Sequence, residues 1–354
     1  MTGTARQVRR YAPPGDHLRL ETDEPRLFDL ASRLWAPESA ESRRDSIEIE
    51  VVRRAGRPED LGEDGEYGDF LEGARAGGAE APGSPRRDAA DFIFSFEESL
   101  RWEHEASEFR CEVPGALKIR IDIARARVDA RIAVSLSLPL SGKSPSPPSS
   151  SLTSFLARTL LEAPAAVLLA RRGWRALHAG AVAGPKGAVV VRGGSGAGKS
   201  TLVAAAHAAG LDVLGDESLL VSRADPDALA SSVRELTLLE DSTALLGLET
   251  RTEPAFSGGE KKRRVDLFTS SRPGARVARR AATLLLGPRT PGPARIVSLS
   301  PPEFLEEFAK GEVPQEDVDG GAGATARAWA GAGARLDGAS DLRGAVALLK
   351  ALVT

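Results

Sequence analysis

Residues 193–200 of this chain, Gly193, Gly194, Ser195, Gly196, Ala197, Gly198, Lys199 and Ser200, fit the spacing G-x-x-x-x-G-K-[ST], and Thr201 follows. That order of residue types suits the binding of phosphate. Glycines admit positive φ, so successive backbone N–H groups can turn inward around an anion, and a helix opening directly after the loop adds its partial positive charge. Lys199 would then reach the β and γ phosphates of a nucleoside triphosphate, and the Ser200 hydroxyl would ligate Mg²⁺. Downstream, Gly215-Asp216-Glu217 sets two carboxylates side by side after the apolar run Leu211, Val213, Leu214. One acid can take the proton of an attacking hydroxyl while its neighbour supports Mg²⁺, which is what phosphoryl transfer asks of acidic side chains. An ordinary turn acid is the plainer reading of the same pair. His178 precedes the loop by the length of a β-hairpin turning at Pro185, Lys186 and Gly187, which would return it beside the phosphates. A lone histidine at a strand start also serves as a structural hydrogen-bonder.

These groups need a strand before the loop and a helix after it, and the sequence supplies both. Residues 188–192 are apolar up to Arg192, and 200–208 read as a helix, which argues against a plain glycine-rich turn with a solvated lysine. Residues 211–214, 218–221 and 282–286 read as further strands, giving an α/β domain whose ligands sit at strand ends. Ser300, Pro301 and Glu303 spell an N-cap, an N1 proline and a capping-box acid ahead of Phe304, Leu305 and Phe308, with Gly311 as the stop. Residues 342–353 read as a last helix, and the Gly/Ala-rich stretch 313–340 as irregular.

The first part of the chain has strand periodicity instead. Leu117, Ile119, Ile121 and Ile123 alternate with Lys118, Arg120 and Asp122; Ile132, Val134, Leu136 and Leu138, the residues 47–51, and Phe92, Phe94 and Phe96 behave alike. One-sided strands of this kind suit an antiparallel sheet with one wet face, with a helix near 27–34. Residues 54–90 are rich in Gly, Glu, Asp, Arg and Pro and read as a disordered insertion. A Ser/Pro stretch over 141–151 precedes a helical segment at 152–168, interrupted at Pro164. The expected organisation is a smaller β-rich domain over 1–150 and a phosphate-loop α/β domain over 151–354.

With 47 basic and 50 acidic side chains the formal charge is −3, so no global field draws the chain to nucleic acid or an anionic membrane. The N-terminal arginines Arg6, Arg9 and Arg10 lack a following apolar stretch, and no later run would span a bilayer, so a cytoplasmic protein is expected. The single cysteine, Cys111, offers neither a disulfide framework nor a metal knuckle.

Taken together, His178-Ala179-Gly180-Ala181-Val182, the loop 193–201 and Gly215-Asp216-Glu217 resemble the catalytic core of the HPr serine kinase/phosphorylase family in order and spacing. The resemblance covers about residues 176–310 and includes Leu236, Leu238, Asp241 and Ser242, which fit a Leu-x-Leu-x-x-Asp-Ser stretch of divergent members. It implies a phosphate-loop kinase using ATP and Mg²⁺, with Asp216 as base toward an acceptor hydroxyl and His178 as its polar supporter. Lys199 would lie on the phosphates, with Ser200 and Glu217 on Mg²⁺. The family's usual second acid is Asp; here it is Glu217. The Arg/Gly-rich segment that holds the family's carrier-protein substrate is not visible between Ser222 and Leu245, so the acceptor is a protein serine, a peptide or a small molecule. Self-association follows from the hexameric habit of the family. The basic run Lys261, Lys262, Arg263 and Arg264 is expected on nucleotide phosphate, on an acidic acceptor or on a solvated face. Phe256-Ser257-Gly258-Gly259-Glu260 also resembles the signature of ABC-type ATPases. That class needs an apolar strand ending in Asp-Glu soon afterwards, whereas residues 283–286 run into Gly287-Pro288. An ATPase, or a nucleotide-binding scaffold without turnover, stands as the alternative.

Overall fold

A computed structural model describes residues 7–12, 18–22, 27–28, 31–32, 36–37, 47–54, 101–105, 108–113, 117–133, 158–231, 235–248, 252–257, 260–266, 276–288, 290–311, 316 and 321–354. The fold is mixed α/β, with several sheets and no closed barrel among the described residues. The first sheet holds β1 (Gln7–Ala12), β2 (Leu18–Thr22), β3 (Ala36–Pro37), β4 (Ile47–Arg54), β5 (Arg101–Glu105), β6 (Glu108–Val113), β7 (Leu117–Asp122) and β8 (Arg127–Ala133). After a wide helical turn come helix α1 (Ala163–Leu169), strands β9 (Trp174–Leu177), β10 (Gly180–Gly184) and β11 (Gly187–Arg192), and helix α2 (Lys199–Ala208). Strands β12 (Asp212–Gly215), β13 (Leu219–Ser222), β14 (Ala228–Ser231) and β15 (Glu235–Leu239) lead to the short helix α3 (Glu240–Leu245). Then follow β16 (Thr252–Ser257), β17 (Glu260–Asp266), β18 (Arg276–Leu286) and β19 (Arg295–Ser298). Helices α4 (Pro301–Ala309) and α5 (Gly321–Trp329), strand β20 (Gly333–Asp337) and helix α6 (Leu342–Val353) end the chain.

The first sheet is eight-stranded in the order β3-β1-β2-β4-β8-β7-β6-β5. Period-two alternation decides its faces: Leu117, Ile119 and Ile121 are buried while Lys118 and Arg120 are exposed. The expected antiparallel sheet is corrected to a mixed one, because β2 with β4 and β4 with β8 run parallel. The chain between β2 and β4, and again between β4 and β8, is long enough for the crossover that parallel pairing requires. The alternation at Phe92, Phe94 and Phe96, the insertion 54–90 beyond Arg54 and the Ser/Pro stretch 141–151 lie outside the described residues. Pro164 lies in the first turn of α1, directly after the helical turn 158–162, so the helical segment changes its winding beside the proline. The α1 residues Val167 and Leu168 share one core with the first sheet and with Leu220 and Ala230 of β13 and β14.

The nine-stranded sheet runs β12-β10-β11-β18-β14-β13-β9, with β20 joining β18 and β19 joining β20. Strand β11 lies between β10, antiparallel, and β18, parallel. Its residues alternate between two cores. Val189 and Val191 pack with Leu202 and Val203 of α2 and Ala345 and Leu349 of α6. Ala188 and Val190 pack with Phe304 and Phe308 of α4 and Trp329 of α5. Helices therefore cover both faces, which is why β11 and the end of β18 read as unbroken apolar runs. A separate three-stranded sheet has the order β15-β17-β16.

The capping box at α4 forms as the sequence predicts, with the Ser300 N–H and hydroxyl both donating to Glu303. The stretch 313–340 is not irregular throughout, since it contains α5 and β20. The signal is weak because small residues are demanded by contact: a Cβ on Gly333 would lie 2.6 Å from Cγ of the fully buried Phe304. Among the described residues, no helix is long and apolar enough to cross a membrane. Gly333→Ala should destabilise the protein by about 1–3 kcal/mol through overpacking, read as a lower denaturant midpoint with an unchanged m-value.

Candidate functional site

The β10–β11 hairpin sets Gly180 opposite Val191 and brings His178 to the level at which β11 ends. From Arg192 the chain enters the loop 193–198 and then α2. Gly196 at φ +71° and Gly198 at φ +100° hold left-handed conformations that side-chain-bearing residues adopt at a cost. Gly193 is needed for space, since a Cβ there would stand 3.2 Å from both Ala197 and Leu286. Ser195 and Gly196 face solvent, while Lys199 is buried. The Lys199 ammonium turns back on its own loop, donating to the carbonyls of Gly193 at 2.8 Å and Gly194 at 3.1 Å. Thr201 lies within 2.8 Å of the Ser242 hydroxyl at the start of α3, which ties the first turn of α2 to the small sheet.

Asp216 follows β12, whose last residue Gly215 pairs with Ala181 of β10. Its carboxylate lies against Gly180, where a Cβ would stand 3.3 Å from Oδ1. Asp216 is 1% exposed, and neither of its carboxylate oxygens completes a hydrogen bond. Burial pushes its pKa up to about 7, and the Glu217 carboxylate pushes the same way; the Ser200 hydroxyl and the Glu217 N–H, near the carboxylate but not in well-formed hydrogen bonds, and the Lys199 charge act against them. Burial also holds Lys199 below the usual lysine range, with Arg192 and Lys262 adding to the effect and both acids opposing it.

Glu217 stands at φ +60°, a left-handed position unusual for a residue with a side chain. His178 Nδ1 is 3.2 Å from the Glu217 carbonyl. A carbonyl only accepts, so Nδ1 carries the proton and Nε2 is left as an acceptor in the neutral ring. Burial, with the Lys199 charge, lowers the His178 pKa and keeps the ring neutral. His178 thus supports the acid pair through the backbone of Glu217, without touching the Asp216 carboxylate. The Glu217 carboxylate is 3.8 Å from Lys262 on β17. Arg263, next along that strand, turns to Glu240 at 4.0 Å. The side chains of Lys261 and Arg264 lie outside the described residues.

Sequence reasoning missed a buried pair beneath these groups. Arg192, 0% exposed, donates to both oxygens of Glu316 at 2.7 and 3.0 Å, to the Phe308 carbonyl at 2.9 Å and to the His178 carbonyl at 3.1 Å. Its guanidinium also stacks 4.2 Å above the Phe308 ring. Glu316 accepts in addition from the His178 N–H. A charged residue closing the apolar run 188–191 was a usable signal for Arg192. Glu316 sits in a stretch without periodicity and gave none.

The arrangement can receive a multiply charged anion over the loop, with Lys199 exchanging carbonyls for anionic oxygens. Hard oxygen donors, the Ser200 hydroxyl and the buried Asp216 carboxylate, are of the kind that would suit a hard divalent cation such as Mg²⁺, and the Glu217 carboxylate is close by. No group of three or more His, Cys, Asp or Glu side chains converges among the described residues, so most other ligands to such a cation would be substrate or water oxygens. Compared with protein-family models and with curated proteins, the chain matches none.

Two outcomes follow from the buried charges. An acid whose folded pKa is raised makes the fold less stable as pH climbs from its unfolded value, near 4, to its folded value, about 7. Asp216→Asn, which keeps the shape and removes the charge, should therefore melt several degrees higher than wild type at pH 8 without ligands, and the difference should shrink toward pH 5. Glu316→Ala leaves the Arg192 guanidinium buried without its counter-charge, and should lose roughly 3–5 kcal/mol in chemical denaturation.

Proposed function

We propose that this chain is an ATP- and Mg²⁺-dependent kinase, similar to the catalytic domain of HPr serine kinase/phosphorylase, that transfers the γ-phosphoryl group to a hydroxyl of a protein serine, a peptide or a small molecule. The observation that carries this reading is the Asp216 carboxylate: buried, without a well-formed hydrogen bond, raised to about 7, and next to a loop that offers Lys199 and Ser200. A fold bears such a cost where a proton must be taken, and a pKa near the working pH is the one that suits a general base.

In this reading the loop 193–198 and the N-terminus of α2 hold the β and γ phosphates, and Lys199 trades its bonds to Gly193 and Gly194 for phosphate oxygens. Asp216 accepts the proton of the acceptor hydroxyl, whose oxygen bonds to the γ phosphorus while the bond to the bridging oxygen breaks and its electron pair stays on ADP. His178 keeps the Glu217 backbone in its left-handed turn, and so keeps Asp216 facing the loop. Mg²⁺, carried on Ser200 and Glu217, would draw negative charge from the transferring group. A cytoplasmic location and self-association belong to the same proposal.

The ABC-like alternative fits less well. The flanks of its signature-like stretch pair as the antiparallel strands β16 and β17, Ser257 opposite Glu260, and β18 runs into Gly287-Pro288 without an acidic pair. Calorimetry and ADP formation test the proposal together. Lys199→Ala should lose ATP affinity and all nucleotide-dependent activity. Asp216→Asn should bind ATP within about twofold of wild type and lose at least about 100-fold in acceptor-dependent ADP formation. Full transfer by Asp216→Asn would remove Asp216 as the base.

A further inference from the structure

We propose that Lys262 is a second phosphate-binding cation of this site, which takes hold of the terminal phosphoryl group together with Lys199 and is kept in place by Glu217 until that group arrives. The inference rests on the nucleotide reading above and adds to it a residue from a different sheet.

The Lys262 side chain is only 14% exposed, yet its ammonium is 3.8 Å from Glu217 Oε1, beyond hydrogen-bond length. Among the described residues that is the one polar contact it makes. An ammonium carries three donors and is strongly hydrated in water. Drawing it away from solvent toward a single loosely placed oxygen is poor satisfaction for a structural ion pair and good preparation for an anion with several oxygens. Lys199 lies close enough for the two charges to disfavour each other. Two neighbouring cations, each able to turn from its present oxygens, would favour a multiply charged group, and the γ phosphate is the part of ATP that ADP lacks.

The position of Lys262 is fixed from outside the loop. It sits on β17, the middle strand of the small sheet, opposite Leu239 of β15. Leu239 leads into α3, whose Ser242 is bonded to Thr201 in the first turn of α2. Leu236, Leu238 and Val265 of the same sheet share the core of Leu202 and Val203. The strand that carries Lys262 is thus anchored to the helix that carries Lys199. From the other side, the left-handed turn at Glu217 aims its carboxylate at Lys262 while its carbonyl holds His178.

During transfer the acceptor oxygen bonds to phosphorus, the acceptor proton goes to Asp216, and the electron pair of the broken bond remains on ADP. Lys262 and Lys199 share the charge on the three oxygens that travel with the phosphorus. A lysine that only neutralised Glu217 would be indifferent to whether the nucleotide carries a third phosphate.

That difference is measurable by calorimetric titration of the full chain with ATP and with ADP, independently of any turnover. Lys262→Met should weaken ATP about tenfold and leave ADP within about twofold, and Lys262→Arg should restore most of the ATP preference. Should Lys262→Met melt below the assay temperature, Lys262→Gln makes the same comparison. An ATP to ADP affinity ratio unchanged by these variants, or equal weakening of both nucleotides, overturns this inference and leaves the kinase reading intact. Wild-type protein that binds neither nucleotide overturns the nucleotide reading itself, and this inference with it.

Discussion

A guanidinium that ends a fully buried strand must be neutralised where it stands, and the site is built around the way this happens at Arg192. Its fork is filled by Glu316, and its remaining donors go to the carbonyls of Phe308 and His178. Two regions of chain distant in sequence are thereby fixed to one charge: the end of β11 with the turn before β10, and the end of α4 with the residue at 316. A buried pair of this kind adds little net stability, because desolvation offsets most of the attraction, yet breaking it is expensive. Its consequence here is geometric. The loop 193–198 begins one residue after Arg192, and His178 is held from both its carbonyl and its N–H.

On that frame sits a second set of charges whose balance is less comfortable. Asp216 is buried without a well-formed hydrogen bond, Glu217 occupies a left-handed turn, Lys199 spends its donors on its own loop, and Lys262 faces a carboxylate too far away to bond. The buried carboxylate, the left-handed glutamate and the loosely paired lysine each reduce stability. Their concentration within one neighbourhood, where the rest of the nine-stranded sheet is packed by ordinary apolar alternation, is the pattern expected when function is set against stability. An anion over the loop, with a cation beside Asp216, would give partners to Asp216, Lys199 and Lys262 at once.

Much of this was legible in the sequence for identifiable reasons. The loop and its flanking strand and helix follow from glycine spacing and apolar runs, and the hairpin that returns His178 follows from Pro185, Lys186 and Gly187. The α4 cap is written in Ser300, Pro301 and Glu303. Parallel pairing of β4 with β2 and β8 was not legible, because alternation reports which face is wet and not the direction of a neighbour. The helix α5 and strand β20 were hidden by a run of small residues without apolar periodicity, of which Gly333 is there to admit Phe304. Glu316 was invisible because its role is defined by a partner 124 positions away in sequence. Lys262 was visible only as part of a charge run, and the register of β17 against β15 is what separates it from its neighbours.

The fate of the γ-phosphoryl group addresses the central claim most directly. Incubating the protein with γ-labelled ATP, Mg²⁺ and an extract that contains candidate acceptors, and then following the label, distinguishes every reading of the site. The account predicts label in a phosphoester on a hydroxyl-bearing protein, peptide or metabolite, formed together with ADP. Label appearing only as free phosphate, or remaining wholly in ATP, would contradict it.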